Sequence, residues 1–317
     1  FRTRMKRLVL VFTILTFAIS SFSLDAFTLL RQYLEKERKV SYEARQSYLI
    51  YTHRGYIKSE AILKKAQGGR TRLEFVSPPF YGYVMVWGKE GGIVIPPRKG
   101  RAPSHLAIPT GDLIDIHLDL LSKSAKVSLE GVEYILGRQA RVFLIKPAYV
   151  KGGYLKVWVD SETGIRLRTE RYFPTGKLLS SISLLNLQIG PRFKKEEFII
   201  PPQKVKPRDY SIEELKEILH FRPLFPSRLP RGYKIVYKSP IFAKGRGGVI
   251  IHLTDGLNPI TILEIAKKHK LPPMPSPFSQ EVVYMTVGKY GVYLTGNVEK
   301  EVLEEIGRSL KWEEQEK

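Results

Sequence analysis

The sequence predicts an α+β fold, mostly antiparallel β, with a large curved sheet or partly open barrel followed by a smaller α+β domain. Three observations carry this. Behind a single amphipathic helix, apolar and polar residues alternate with period two from Tyr42 to Leu187, interrupted by one short helical pattern. Gly, Pro and His-Arg-Gly punctuation separates the strands without alternating crossover helices, which excludes a doubly wound parallel sheet. A basic, proline-bearing linker at 191–208 then precedes a second, shorter series of strands closed by a helix.

Taken in order, Leu24–Lys39 places Phe27, Leu30 and Leu34, with Leu29 and Tyr33, at helical spacing. Strands are expected over Tyr42–Thr52, Tyr56–Lys65, Arg70–Val76, Tyr81–Gly88 and Gly92–Ile95, as an antiparallel meander. A short helix is expected at 110–123, with Leu113, Ile116, Leu120 and Leu121 on one side. Strands resume at Val127–Leu136, Gln139–Pro147, Tyr154–Asp160, Ile165–Phe173 and Leu178–Leu187. Ser211 and Glu214 form a capping box that opens the next helix. Asp255-Gly256 sits between two β-rich runs as a hairpin signal, and Glu299–Leu310 reads as the closing helix. The expected organisation is a signal peptide at 1–23, a sheet domain at 24–200, a linker with a short helix at 201–225 and a small α+β domain at 226–317.

The chain has 317 residues, with 52 Lys and Arg against 31 Asp and Glu, a net charge of +21. Such an excess points to anionic lipid, an acidic protein or nucleic acid. The first segment narrows the choice. Arg2, Arg4, Lys6 and Arg7 precede an apolar run from Leu8 to Ile19, and Ser21-Phe22-Ser23 supplies small residues for cleavage. The run is shorter than the roughly 20 residues a bilayer span needs. We therefore expect Met5 to start an exported chain that is soluble and periplasmic after cleavage, away from nucleic acid. There are no cysteines, so disulfides, a thiol nucleophile, Cys-ligated zinc and a lipid-attachment cysteine are excluded.

Few residues qualify for chemistry. Asp160 and Glu162 flank a break between two alternating runs, and Gly164 can take the positive φ of a tight bend. The pair is read as a turn, because glycosidase-type carboxylates converge across a cleft. Asp115, His117 and Asp119 would share one face of a strand and could ligate a metal; on a helix only Asp115 and Asp119 align, leaving a solvated face. Gly245-Arg246-Gly247-Gly248 precedes a strand rather than opening a helix, so it reads as a turn, not a phosphate loop. No catalytic residue, metal or cofactor is expected.

Two sets of residues suit binding. Lys64, Lys65, Arg70, Arg72, Arg98, Lys99, Arg101, Lys194 and Lys195 cluster as candidates for an anionic partner, or as solvated faces. Leu73, Phe75, Tyr83, Met85, Leu155, Val157, Val159, Ile165 and Leu167 would fill the concave side of the sheet, either as core or as the wall of an acyl-chain cavity.

The stretch VEYILGRQARVFLIKP, followed by YLKVWVDSETGIRLRTERYFPTGKLLSSISLLNLQIG, resembles the repeated design of the LolA-like superfamily. It is more similar still to the RseB/MucB family of envelope-stress regulators, since LPRGYKIV and HLTDGLNPITILEI resemble that family's C-terminal motifs. Pro259-Ile260-Thr261-Ile262 and Tyr233 depart from the family pattern. The resemblance implies a LolA-like half-open β-barrel with covering helices and a lipid-accommodating cavity, joined to a smaller domain. It implies a non-enzymatic periplasmic protein that binds the periplasmic part of a membrane anti-sigma factor (RseA/MucA-like) and regulates its proteolysis. Lipid, a lipoprotein acyl chain or lipopolysaccharide would be the signal, with contact at the membrane surface. A LolA-like lipoprotein or lipid carrier is the alternative, and an exported metal-dependent hydrolase centred on His117 the second.

Overall fold

The computed structural model describes residues 25–52, 55–88, 91–97, 104–106, 118–199, 209–243, 246–266 and 281–312. Helix α1 (Ala26–Glu37) leads, and the Asp25 carboxylate caps it by accepting from the Thr28 amide at 3.0 Å. The first sheet has 12 strands: β1 (Tyr42–Thr52), β2 (Gly55–Lys65), β3 (Thr71–Phe75), β4 (Val84–Gly88), β5 (Gly91–Ile95), β6 (Ser104–Leu106), β7 (Ala125–Ile135), β8 (Arg138–Pro147), β9 (Tyr154–Asp160), β10 (Arg166–Tyr172), β11 (Leu178–Leu184) and β12 (Gln188–Ile189). Its order is β6-β5-β4-β3-β2-β1-β11-β10-β9-β8-β7, with β12 also on β1, and the pairs are antiparallel. The half-open sheet expected from the sequence is what forms, because each hairpin hands the chain to its neighbour without a crossover.

A shared face follows from the register. Met85 lies opposite Leu73, Leu73 opposite Leu63, and Leu63 opposite Ala44. Two and four residues along β1 come Gln46 and Tyr48; Tyr48 lies opposite Ile182, which continues through Thr169 and Val157 to Phe143. Directly opposed residues and residues two apart point the same way, so these side chains share one face. Helix α1 covers its β8–β9 end: Leu30, Tyr33 and Leu34 pack with Phe143, Ile145, Leu155, Val157 and Val159. On the opposite face, Phe193 and Phe198 pack against Val86 and Ile93, Phe198 belonging to a short 3-10 helix (Lys195–Phe198). Residues 191–199 are therefore docked on the sheet rather than free linker, a correction that those two aromatics among the lysines explain. Residues 200–208 lie outside the described residues.

The second part holds α3 (Ile212–Leu219), the strand pair β13 (Leu224–Pro226) and β19 (Leu310–Trp312), and α4 (Lys300–Arg308). Its five-stranded sheet has the order β14-β15-β16-β18-β17, from β14 (Lys234–Ala243), β15 (Arg246–Thr254), β16 (Pro259–Ala266), β17 (Glu281–Val287) and β18 (Tyr290–Gly296). The capping box forms, Glu214 amide to Ser211 Oγ at 3.1 Å and Ser211 amide to Glu214 Oε2 at 2.8 Å. Asp255-Gly256 begins the β15–β16 turn with Gly256 at φ +89°. Arg246–Gly248 is strand rather than turn, because Gly248 lets β16 approach: a Cβ there would lie 2.5 Å from the Glu264 carbonyl oxygen. The helix expected at 110–123 is α2 (Leu118–Ser124) in its described part; 107–117, with Asp115 and His117, lie outside.

Candidate binding face and the seam between the sheets

Beyond the footprint of α1, the shared face stays partly open. Tyr48, Phe75, Phe80, Trp87, Val94 and Ile182 are each half-buried there. Their aromatic rings form a row, Tyr48 to Phe75 at 5.4 Å and Phe75 to Phe80 at 5.3 Å between centroids. Small side chains, Ala44 and Ala61, sit beneath. An apolar, aromatic floor with small residues between large ones suits a flexible hydrocarbon better than a polar metabolite.

A buried ionic cluster borders this floor. Glu37, at the end of α1, is 1% exposed and accepts from Tyr42 Oη at 2.7 Å, Lys65 Nζ at 3.0 Å and Arg166 at 2.9 and 2.8 Å. Burial alone would raise its carboxyl; Arg166 and Lys65 overcome that and hold it at about 2. The charges pin the C-terminus of α1 to β1, β2 and β10 at once.

The turn at 160–164 is structural. The Asp160 carboxylate accepts from the Thr163 amide at 3.1 Å, the Thr163 hydroxyl and Arg138 at 3.0 Å, while Glu162 reaches the same guanidinium at 2.8 Å. Gly164 has φ +79°, and a Cβ on it would stand 2.1 Å from the Tyr33 carbonyl oxygen. Glycine lets the bend pack flat on α1.

The two sheets meet along a hydrogen-bonded seam. Asn258 Nδ2 donates to the Gly153 carbonyl at 2.8 Å, Asn297 Nδ2 to the Tyr172 carbonyl at 3.0 Å, Arg171 to the Leu257 carbonyl at 3.0 Å, and the Ser124 hydroxyl to the Asp255 carbonyl. Leu257, 1% exposed, inserts into the cluster of Leu30, Tyr33, Phe143 and Val157. Helix α1 thus touches the second part of the chain through Leu257 and the open face through Glu37.

No family model matches the sequence, and no curated protein matches it. Solved structures do. A chain of the Pseudomonas aeruginosa MucA/MucB complex superposes with a TM-score of 0.67 at 15% identity, over 92% of this chain and 100% of that one. A crystal structure of MucB superposes at 0.61 with 16% identity, over 91% of this chain and 98% of that one. The chain has the MucB fold. A structure of MucB in complex with MucA(peri) matches at 0.60, 15% identity, 92% and 100%. Shares this large span both sheets, so the MucB fold accounts for the second part as well as the first.

Within the MucB fold the expected site residues separate. Phe75 lies half-buried on the open face, Leu73 and Met85 are buried in the same cluster, and Tyr83, half-buried, gives its carbonyl to the Phe75 amide at 2.9 Å. Leu155, Val157 and Val159 share that face but lie sealed under α1. Ile165 and Leu167 are fully buried in the cluster of Tyr42, Ala44 and Leu184. Of the basic residues, Lys65 serves Glu37, Lys64 pairs with Glu197 at 2.6 Å, and Arg72 pairs with Glu74 at 3.1 Å. Arg70, Lys194 and Lys195 are exposed, and Arg98, Lys99 and Arg101 lie outside the described residues. Asp119 pairs with Arg31 at 3.3 Å; among the described residues no group of His, Asp and Glu could hold a metal. Tyr48, Trp87 and Glu37 are absent from the sequence-level site. Tyr48 has a sequence signal, the period-two run from Tyr42 through Ala44, whereas nothing local in the sequence marks Glu37.

Proposed function

We propose that this is a periplasmic, non-enzymatic binding protein of RseB/MucB type, sensing envelope lipid on the open face and holding the periplasmic part of a membrane anti-sigma factor, so regulating its proteolysis. The half-exposed aromatic row beside a clamped helix carries the lipid reading. Support for the partner comes from MucB, a fold likeness whose structures include complexes with MucA. Leu73, Phe75, Met85, Tyr48 and Trp87 form the acyl-chain wall, and Leu155, Val157 and Val159 join it only when α1 lifts. Arg70, Lys194 and Lys195 are the accessible cations for an acidic partner. A lipid carrier would use the first sheet alone; the seam and the two-part match favour the regulator.

The test uses Trp87 as reporter. A phospholipid brominated on its acyl chain is expected to quench a fluorescence component that Trp87→Phe removes. Quenching unchanged by Trp87→Phe, or none at all, would overturn the lipid reading. Capture of a membrane anti-sigma factor's periplasmic segment by the purified chain tests the partner; failure at micromolar concentration would contradict it.

A further inference from the structure

Three exposed tyrosines gather at one end of the large sheet. Tyr51 and Tyr56 lie opposite each other at the β1–β2 hairpin end, 38% and 66% exposed, their rings 6.4 Å apart. The chain leaving β3 runs toward the same end, the Val76 amide donating to the Glu60 carbonyl at 2.8 Å, and turns at 77–82, where Tyr81 is 66% exposed. The β10–β11 hairpin ends there too, since Ile50 lies opposite Ser180. It carries exposed Lys177, and exposed Lys58 follows Tyr56 on β2.

The second part of the chain docks on this same end, but at the other strands: its seam contacts Gly153, Arg171 and Tyr172. The tyrosines at β1–β3 project beside it. One residue inward from Tyr51 and Tyr56, Ile50 and Ile57 lie opposite each other, half-buried on the face that holds Tyr48. Tyr51 and Tyr56 alternate onto the opposite face, so the tyrosine end is the rim of the sheet at which the open apolar face ends.

We propose that this rim docks on the anionic surface of a lipid bilayer, with Tyr51, Tyr56 and Tyr81 at headgroup depth and Lys58 and Lys177 meeting lipid phosphates. Tyrosine has an apolar ring and a polar tip, so it settles where hydrocarbon meets water. Lysines beside it supply attraction to anionic headgroups. Docked this way, the open face meets the bilayer through its rim, and an acyl chain passes onto Tyr48 and Phe75 without crossing bulk water. The proposal rests on the acyl-lipid reading of that face.

The chain contains no cysteine, so one introduced thiol can be labelled cleanly. An environment-sensitive dye on Thr52→Cys is expected to shift to the blue with phosphatidylglycerol–phosphatidylcholine vesicles, while the same dye on Glu133→Cys does not. Tyr51→Ser with Tyr56→Ser and Tyr81→Ser should weaken vesicle flotation about tenfold, whereas Tyr134→Ser, at a tyrosine on β7 that is more exposed than any of the three, leaves it unchanged. No shift at residue 52, equal shifts at both labels, or a shift that protein concentration produces without vesicles would overturn the proposal, the last in favour of self-association. A shift at 52 without quenching at Trp87 would sink the acyl-chain reading and leave surface docking standing.

Discussion

Glu37 shows how one side chain sets the position of a helix. Its carboxylate neutralises two cations that would otherwise be stranded in the same apolar setting. Glu37→Ala is expected to cost about 3–5 kcal/mol, because Lys65 and Arg166 are then buried unpaired; urea denaturation at neutral pH measures it. A carboxyl held at about 2 contributes stability that is complete above the ordinary carboxylate range and fades as pH falls towards 2. Glu264 has the opposite sign. Burial lifts it to about 8, with the Leu224 amide, 2.8 Å from Oε2, opposing. The folded chain keeps that proton where an unfolded one has lost it, so stability falls as pH rises from about 4.5 to about 8. Glu264→Gln should remove this slope and gain about 1–3 kcal/mol at pH 8; urea midpoints at pH 5 and pH 8 for both chains decide it.

Among elements, α1 and the β8–β9 loop bear most directly on function. The loop brings Gly153 against the second part of the chain so closely that a Cβ would lie 1.8 Å from Asn297 Nδ2 and 2.4 Å from the Tyr172 carbonyl oxygen. Gly153→Ala is expected to open the seam, speeding hydrogen exchange of the Glu299 amide, which donates to the Lys151 carbonyl, while each sheet keeps its own core; an unchanged exchange rate would contradict a tight seam. Most strands were legible because period-two alternation and glycine turns are local signals, as in Tyr42–Thr52 and Tyr154–Asp160. β6 and β12 are too short to show a period. The site was only half legible. Alternation marks Phe75 and Val157 alike as inward-facing, and only the placement of α1 decides that one is half-buried and the other sealed. Likewise Lys64 and Lys65 read as part of a basic cluster until Glu197 and Glu37 arrive from elsewhere in the chain, while Arg72 is met by its neighbour Glu74 on the same strand.

At the scale of the whole molecule, α1 lies between the open face and the second part of the chain. It bears on the open face through the Glu37 cluster and on the second part through Leu257. On the proposed reading, a lipid that lifts α1 disturbs the packing around Leu257, and lipid and partner then bind with reciprocal coupling. The measurement that tests this account most directly is native mass spectrometry of the protein purified from its own envelope under conditions that keep non-covalent ligands. The account predicts a population carrying one acyl lipid, reduced when the anti-sigma segment is bound. Lipid-free protein that takes up no phospholipid on incubation would contradict it, and would leave the aromatic row as a surface for protein alone.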